Sequence, residues 1–346
     1  MKTSPISTLA VSLALRNSTS RMQETLPRLQ QEMVTGKYAD SGLALGSESR
    51  KLISFLGDVD HTGRLMDTNA QVQTRLTMTQ ESMSRINTLA SNLMNAVGIV
   101  MGDNNQYPTA QQTAKNVVAE TSSILNTQIN GTFLFGGVNT DNQPIADYDT
   151  GGGKAAFDAA FLGYFGFDKN DPAAANITRT DIENFLETAV KPLFLGAGWT
   201  ANMSSATDEV IKSRISPEVT ADTSVSANEK PFRELMMASV VATELFDSNL
   251  GGEAKEGVSN FVISQSGSAT GGMTKLQGQT GLVEERLKRA NDALSAQKSL
   301  LETFASDLES VDPYQTSIEL NTLLTQIEVS YSITSRIQNL SIMDYL

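Results

Sequence analysis

The chain has 346 residues, enough for two or more domains with ample core. Its 26 Lys plus Arg against 39 Asp plus Glu give a net charge of −13, which repels phosphate backbones and anionic headgroups and so excludes nucleic acid and membranes as general partners. Cysteine is absent, removing disulfides, thiolate catalysis and thiolate metal sites together.

The opening "MKTSPISTLAVSLALRNSTS" mimics a signal peptide, but Ser7, Thr8 and Ser12 interrupt its apolar run, and no cleavage is expected. From there Val11, Leu15, Ser18, Met22, Leu26, Leu29 and Met33 keep helical spacing. Pro27 falls inside that run and is expected to kink or stop the helix. Next comes a seam of Leu65, Asn69, Val72, Leu76, Thr79, Met83, Ile86, Ala90, Leu93, Val97 and Val100, stepping alternately by four and three. That 3.5-residue repeat is the coiled-coil period, in which one narrow stripe faces a partner helix. A shorter helix is expected after Pro108, with Ala114, Val117, Thr121 and Ile124 on one side.

At "INGTFLFGGV", residues 129 to 138, the polar helix-forming pattern gives way to Phe133, Phe135 and paired glycines. The window from Phe133 to Trp199 holds 11 of the 21 aromatic residues beside turn-rich stretches such as "TGGGKAAF" and "DKNDPAAAN", which predicts an inserted unit with its own core. Thr180 followed by Glu183 reads as a capping box opening a helix through "DIENFLETAV". "EVIKSRI" and "TADTSVSA" alternate like short strands. The coiled-coil period returns as Val283, Leu287, Ala290, Leu294, Gln297, Leu301, Phe304, Leu308 and Val311. Neither seam can bury its stripe alone, so the two are expected to pack together. Pro313 separates a last, broader stripe of Leu320, Leu323, Leu324, Ile327, Tyr331, Thr334, Ile337 and Leu340.

The expected fold is therefore mainly α with an inserted α+β domain, the two halves forming a long coiled-coil-like helical rod and the middle domain exposed. Its divisions are an N-terminal inner helix (1–36), the first part of the rod (37–135), the inserted surface domain (136–228), the returning rod (229–312) and a C-terminal inner helix (313–346). The terminal helices carry opposite charge, with Lys2, Arg16, Arg21 and Arg28 on the first and a mostly acidic last stretch from Glu302 to Asp344, so charge is expected to help register them.

No catalytic or cofactor motif stands out. His61 is the single histidine, which leaves no His pair for a metal or a catalytic diad, and it reads as a solvated side chain. "TGGGKAA" lacks the second glycine and the Ser or Thr of a phosphate loop, and "DKNDPA" lacks the glycine and closing glutamate of a calcium loop. No cofactor, metal or enzymatic activity is expected.

Three stretches resemble the flagellin superfamily, and within it the hook–filament junction proteins more than filament flagellins. They are "LQQEMVTGKY" at 29–38, "NGTFLFGGVNTDNQPI" at 130–145 and "YSITSRIQNLSIMDYL" at 331–346. The loop "YADSGLALGSES" after the first departs from the family's Asn-Pro-Ser-Asp-Asp-Pro type of turn. The resemblance implies a structural adaptor of the bacterial flagellum, held before secretion by a flagellar export chaperone and exported without a cleaved signal peptide. It implies an extracellular location and assembly with the other junction protein, with flagellin and with copies of itself. It also implies that the terminal helices carry the assembly interface, here Val11, Leu15, Met22, Leu26, Leu29 and Met33 at one end. At the other the residues are Leu320, Leu323, Leu324, Ile327, Tyr331, Ile337, Leu340 and Leu346. A filament flagellin and a soluble coiled-coil scaffold or adhesin remain alternatives.

Overall fold

The computed structural model describes residues 8–101 and 106–343, with side chains described from 10 to 336 outside the same gap. In chain order the elements begin with α1 (Thr8–Thr35), α2 (Ser41–Leu45), α3 (Ser49–Val100) and α4 (Tyr107–Leu125). A hairpin of β1 (Gln128–Ile129) and β2 (Thr132–Phe133) leads to α5 (Gly153–Phe165), and α6 (Arg179–Phe185) passes through a π turn at Leu186–Val190 into α7 (Lys191–Leu195). Then follow α8 (Gly198–Asn202), the antiparallel pair β3 (Lys212–Ser216) and β4 (Val219–Asp222), α9 (Lys230–Leu245), α10 (Gly252–Glu309) and α11 (Pro313–Met343). The chain divides into two compact units, Met1–Arg64 with Leu294–Leu346, and Leu65–Ala293.

In the first unit α1 packs along α11. Pro27 removes one helical hydrogen bond yet does not end α1, which continues for eight residues beyond it to Thr35; packing against a neighbour sustains a helix through such a defect. The turn after α1 is tied to the end of α10, where Tyr38 N–H donates to the Glu309 carbonyl at 2.9 Å and Val311 N–H donates to the Gly36 carbonyl at 3.0 Å. Lys37 pairs with Glu309 across that junction. Among the described residues no salt bridge joins α1 to α11; Gln23 instead links them by donating to the Tyr331 hydroxyl, so the expected guidance by charge has no ion pair behind it.

In the second unit the α3 seam is as the spacing predicts, with every position from Asn69 to Val100 buried. Its polar members are bonded through their donors: Asn69 donates at 2.8 Å to both the Ile215 carbonyl and Asn291 Oδ1, and Thr79 donates to the Arg75 carbonyl of its own helix. Gln73 reaches Glu284, and Gln80 reaches the Gln277 carbonyl, so α3 and α10 pair as expected. The α10 seam holds at Leu287, Leu294, Leu301 and Leu308, and at Val311 just past the helix, but at two positions the next residue turns inward instead: Lys298 and Ala305 replace Gln297 and Phe304, which are exposed. Phe304 still meets Phe55 at 5.8 Å between ring centroids.

The aromatic window does not close on a core of its own. Phe157, Phe161, Phe185, Phe194 and Trp199 are fully buried in one cluster shared with α4, α9 and the start of α10. Phe185 takes Phe157 and Phe161 edge-on at 6.1 and 5.3 Å, and Phe135 meets Phe232 of α9 edge-on at 5.6 Å. The capping box lies two residues earlier than expected: Thr178 accepts from Asp181 N–H, and the Asp181 carboxylate accepts in return. Aspartate at the third position serves as glutamate would, and Glu183 instead pairs with Arg179 at 2.9 Å. The expected strands form as β3 and β4, with Lys212 facing Asp222.

The change of pattern at residue 129 is a change of construction. Asn130 (φ 52°) and Gly131 (φ 80°) make the tight turn of the β1–β2 hairpin. Arg75 of α3 then donates to the carbonyls of Phe133 and Leu134 at 2.8 and 3.0 Å, and Phe135 is buried. Gly136 bridges to Ser226, so the chain leaves toward α5 and returns toward α9 side by side.

Candidate assembly surfaces

The face that α11 turns inward repeats at Thr316, Leu320, Leu323, Ile327, Ser330 and Thr334, steps of four and three along one stripe. Half of those positions bear hydroxyls. Ile327 is 9% exposed, and Leu320 and Leu323 are half-buried. The outward face also carries large apolar side chains among its polar ones, with Tyr314 83%, Ile318 66%, Val329 51%, Tyr331 53% and Ile333 41% exposed.

On α1 the inward stripe runs through Leu15, Thr19, Met22, Leu26 and Leu29, of which Leu29 is 4% exposed and the others half-buried. Val11 is half-buried, while Met33, like Leu13 and Val34, is exposed. Between the two helices Asn17, Ser18, Arg21, Met22 and Leu323 border a groove of about 380 Å³. Elsewhere in this unit Leu43, Ile53 and Leu56 stand in solvent. Exposed apolar side chains at this density mark surfaces made to be covered.

Of the residues named from sequence, Leu324 and Tyr331 lie on the exposed side with Met33, whereas Leu29 and Ile327 are buried within the single chain. Ile337, Leu340 and Leu346 lie outside the residues whose side chains are described. Sequence reasoning missed Ile318, Val329 and Ile333, because a stripe broad enough to be noticed passes for one face when α11 in fact has two. Their spacing off the 316–334 seam is the signal that separates them.

His61 is exposed on α3, and among the described residues no group of three His, Cys, Asp or Glu is placed to hold a metal ion. No described helix is long and apolar enough to cross a membrane.

The family model for the bacterial flagellin N-terminal helical region matches residues 6–140, and that for the bacterial flagellin C-terminal helical region matches residues 263–346. Together they span both long helical halves. The chain belongs to the flagellin family. Proteins of this family are structural components of the extracellular bacterial flagellum. Among solved structures this flagellin-family chain is similar to a protein from Vibrio parahaemolyticus described as a putative flagellar hook-associated protein. The likeness has a TM-score of 0.52 at 11% identity, covering 76% of this chain and 97% of that one, and it shows a shared fold. No curated protein matches the chain significantly.

Proposed function

We propose that this flagellin-family chain is an adaptor that polymerises at the hook–filament junction, with a structural rather than a catalytic role. The observation that carries polymerisation is the row of large apolar side chains on the outward face of α11, which one chain leaves in solvent and a neighbouring copy would cover. Assignment to the junction rests on the resemblance of "TFLFGG" at 132–137 and "LSIMDYL" at 340–346, and on the likeness to a hook-associated fold. In this reading residues 1–36 and 313–346 are the inner assembly helices, 37–135 and 229–312 carry the outer ones, and 136–228 is the inserted segment. The terminal apolar residues form the interface, and the partners are the other junction protein, flagellin and further copies. Export proceeds unfolded, after release from a chaperone and without a cleaved leader.

Immunogold labelling of intact flagella tests the assignment: one band at the distal end of the hook is expected. Label along the whole filament would make the chain a filament flagellin instead. A chain that stays monomeric with purified flagellar partners and labels no flagellum would make it a scaffold or adhesin.

A further inference from the structure

The charges on α1 and α11 form no ion pair between the two helices of one chain, and they are unevenly spread along the pair. The helices run antiparallel from the turn, where Val311 N–H donates to the Gly36 carbonyl at 3.0 Å, to a second contact where Gln23 donates to the Tyr331 hydroxyl. Beyond that contact, toward the free end, every charged side chain among the described residues is an arginine: Arg16, Arg21 and Arg336. Between it and the turn, α1 and α11 carry Glu24, Glu32, Glu319 and Glu328 with a single cation, Arg28, which is committed to the buried Glu32 at 3.5 Å. Arg16, Arg21, Arg336, Glu24, Glu319 and Glu328 are exposed, and among the described residues none of them forms a salt bridge. At about 1.5 Å per residue Arg16 stands roughly 28 Å along the axis from Glu319, well beyond the ~8 Å over which exposed charges act at physiological ionic strength.

Exposed apolar residues recur along α11 on a similar scale. Ile333 follows Ile318, and Val329 follows Tyr314, at the same interval of about four helical turns or 22 Å, and all four side chains are exposed. A parallel copy displaced by that length lays Ile333 level with Ile318 and Val329 level with Tyr314. The same displacement brings Arg21 and Arg336 level with Glu319, whereas a copy docked without it sets arginine beside arginine and glutamate beside glutamate. We propose that a second copy of this chain docks on the α1–α11 pair displaced by about 22 Å along its axis, the Arg16, Arg21 and Arg336 end of one copy lying against Glu319 and Glu328 of the next. Each copy offers a different end to the contact, so the contact is heterologous and repeats from copy to copy. The docking rests on the polymerisation proposed above and gives it a direction and a spacing.

Two charge-reversed full-length chains test it, one with Arg16→Glu and Arg21→Glu, the other with Glu319→Arg and Glu328→Arg. Circular dichroism and melting of each monomer should be nearly unchanged, because every substituted side chain is exposed. Alone, each should need about tenfold more protein to polymerise than the unsubstituted chain, read by sedimentation. Mixed in equal amounts they should polymerise near the unsubstituted concentration, because the reversed end of one chain meets the reversed flank of the other; charges acting within one chain are not rescued by mixing. The absence of cysteine allows a second measurement that decides alone if a reversed chain fails to fold. Single variants Ser20→Cys and Thr322→Cys, at exposed positions, should be joined to each other by a short bismaleimide faster than either is joined to itself. Unchanged assembly of both reversed chains, a mixture without rescue, or linkage of like to like overturns the displaced docking while polymerisation stands. An unsubstituted chain that never sediments as polymer overturns polymerisation itself, and the docking with it.

Discussion

Two single residues show most directly how the second unit is held. Glu244 is buried, and burial alone would raise its pKa, yet the hydrogen bonds from Lys169 and Lys154 outweigh it and the net shift is downward. Lys169 is the mirror case, pushed down by burial but carried upward overall by Asp158 and Glu244. A carboxylate with a lowered folded pKa contributes stability that is complete above its unfolded value of about 4.3 and disappears as pH falls through the folded one. The lysine's share is complete below about 10.4 and is lost as pH rises through its raised folded value. Glu244→Gln should therefore cost about 3 kcal/mol near neutrality, the low end for a broken buried pair because Asp158 still holds Lys169. The gap between its thermal midpoint and that of the unsubstituted chain should narrow from about pH 6 to about pH 3; a constant gap would refute the assignment. At Gly137 the demand is geometric: φ is +68°, and a Cβ would fall 2.4 Å from Thr207 Oγ1 and 2.5 Å from its carbonyl. Gly131, at φ +80°, has open space instead. Gly131→Ala should cost about 1 kcal/mol and Gly137→Ala clearly more, about 3 kcal/mol, in denaturant titrations.

At the scale of elements, the sequence is most legible where packing is one-dimensional. The α3 seam needs only its period, and its two polar members are bonded insertions. The α10 seam expected from the spacing holds at Leu301, Leu308 and Val311 but is one residue out at Gln297 and Phe304, because a straight helix drifts against a strict 3.5-residue count and Phe304 is the conspicuous apolar side chain near the true position. Ala305, 3% exposed, is the buried position there. Ala305→Glu should lower the melting transition of the first unit by several degrees, as an unpaired buried charge does, while Gln297→Glu leaves it nearly unchanged. Equal effects would restore the register expected from the spacing. The middle window is less legible, since composition counts aromatic side chains but does not say which helix they face. Arg233 of α9 donates to the carbonyls of Phe194 and Gly196 at 2.7 and 3.0 Å, and Trp199 Nε1 donates at 2.8 Å to Asn228 just before that helix, which ties the window to α9. Replacing residues 137–225 by a Gly-Ser linker should consequently expose α9, which is almost entirely buried, and abolish cooperative melting of the second unit. A retained sharp transition would show that the helices need nothing from the window.

For the whole molecule, the question is which apolar surface serves the fold and which serves the polymer, and the candidate interface is only half legible in the sequence because a residue pattern merges the two. The structure separates them on α11. Ile327 lies in the inward stripe at 9% exposure, whereas Ile318 and Val329 are 66% and 51% exposed. Ile327→Ala removes packing that exists in one chain, so it should cost about 2–5 kcal/mol of monomer stability, read as a lower melting midpoint or weaker protection from amide exchange along α11. Ile318→Ser and Val329→Ser remove only solvated side chains, and monomer melting should move by less than about 0.5 kcal/mol. Their effect belongs to assembly: if a neighbouring copy buries both, each should raise the protein concentration needed for polymerisation by about tenfold for every ~1.4 kcal/mol of burial energy removed from the interface. The same logic applies at Leu324, 39% exposed, with a smaller monomer cost than at Ile327. Sedimentation of the polymer against chain concentration reads this directly. Unchanged assembly in the double variant Ile318→Ser, Val329→Ser would mean that the outward face of α11 is covered by something other than another subunit, and the polymerisation surface would then have to be sought elsewhere.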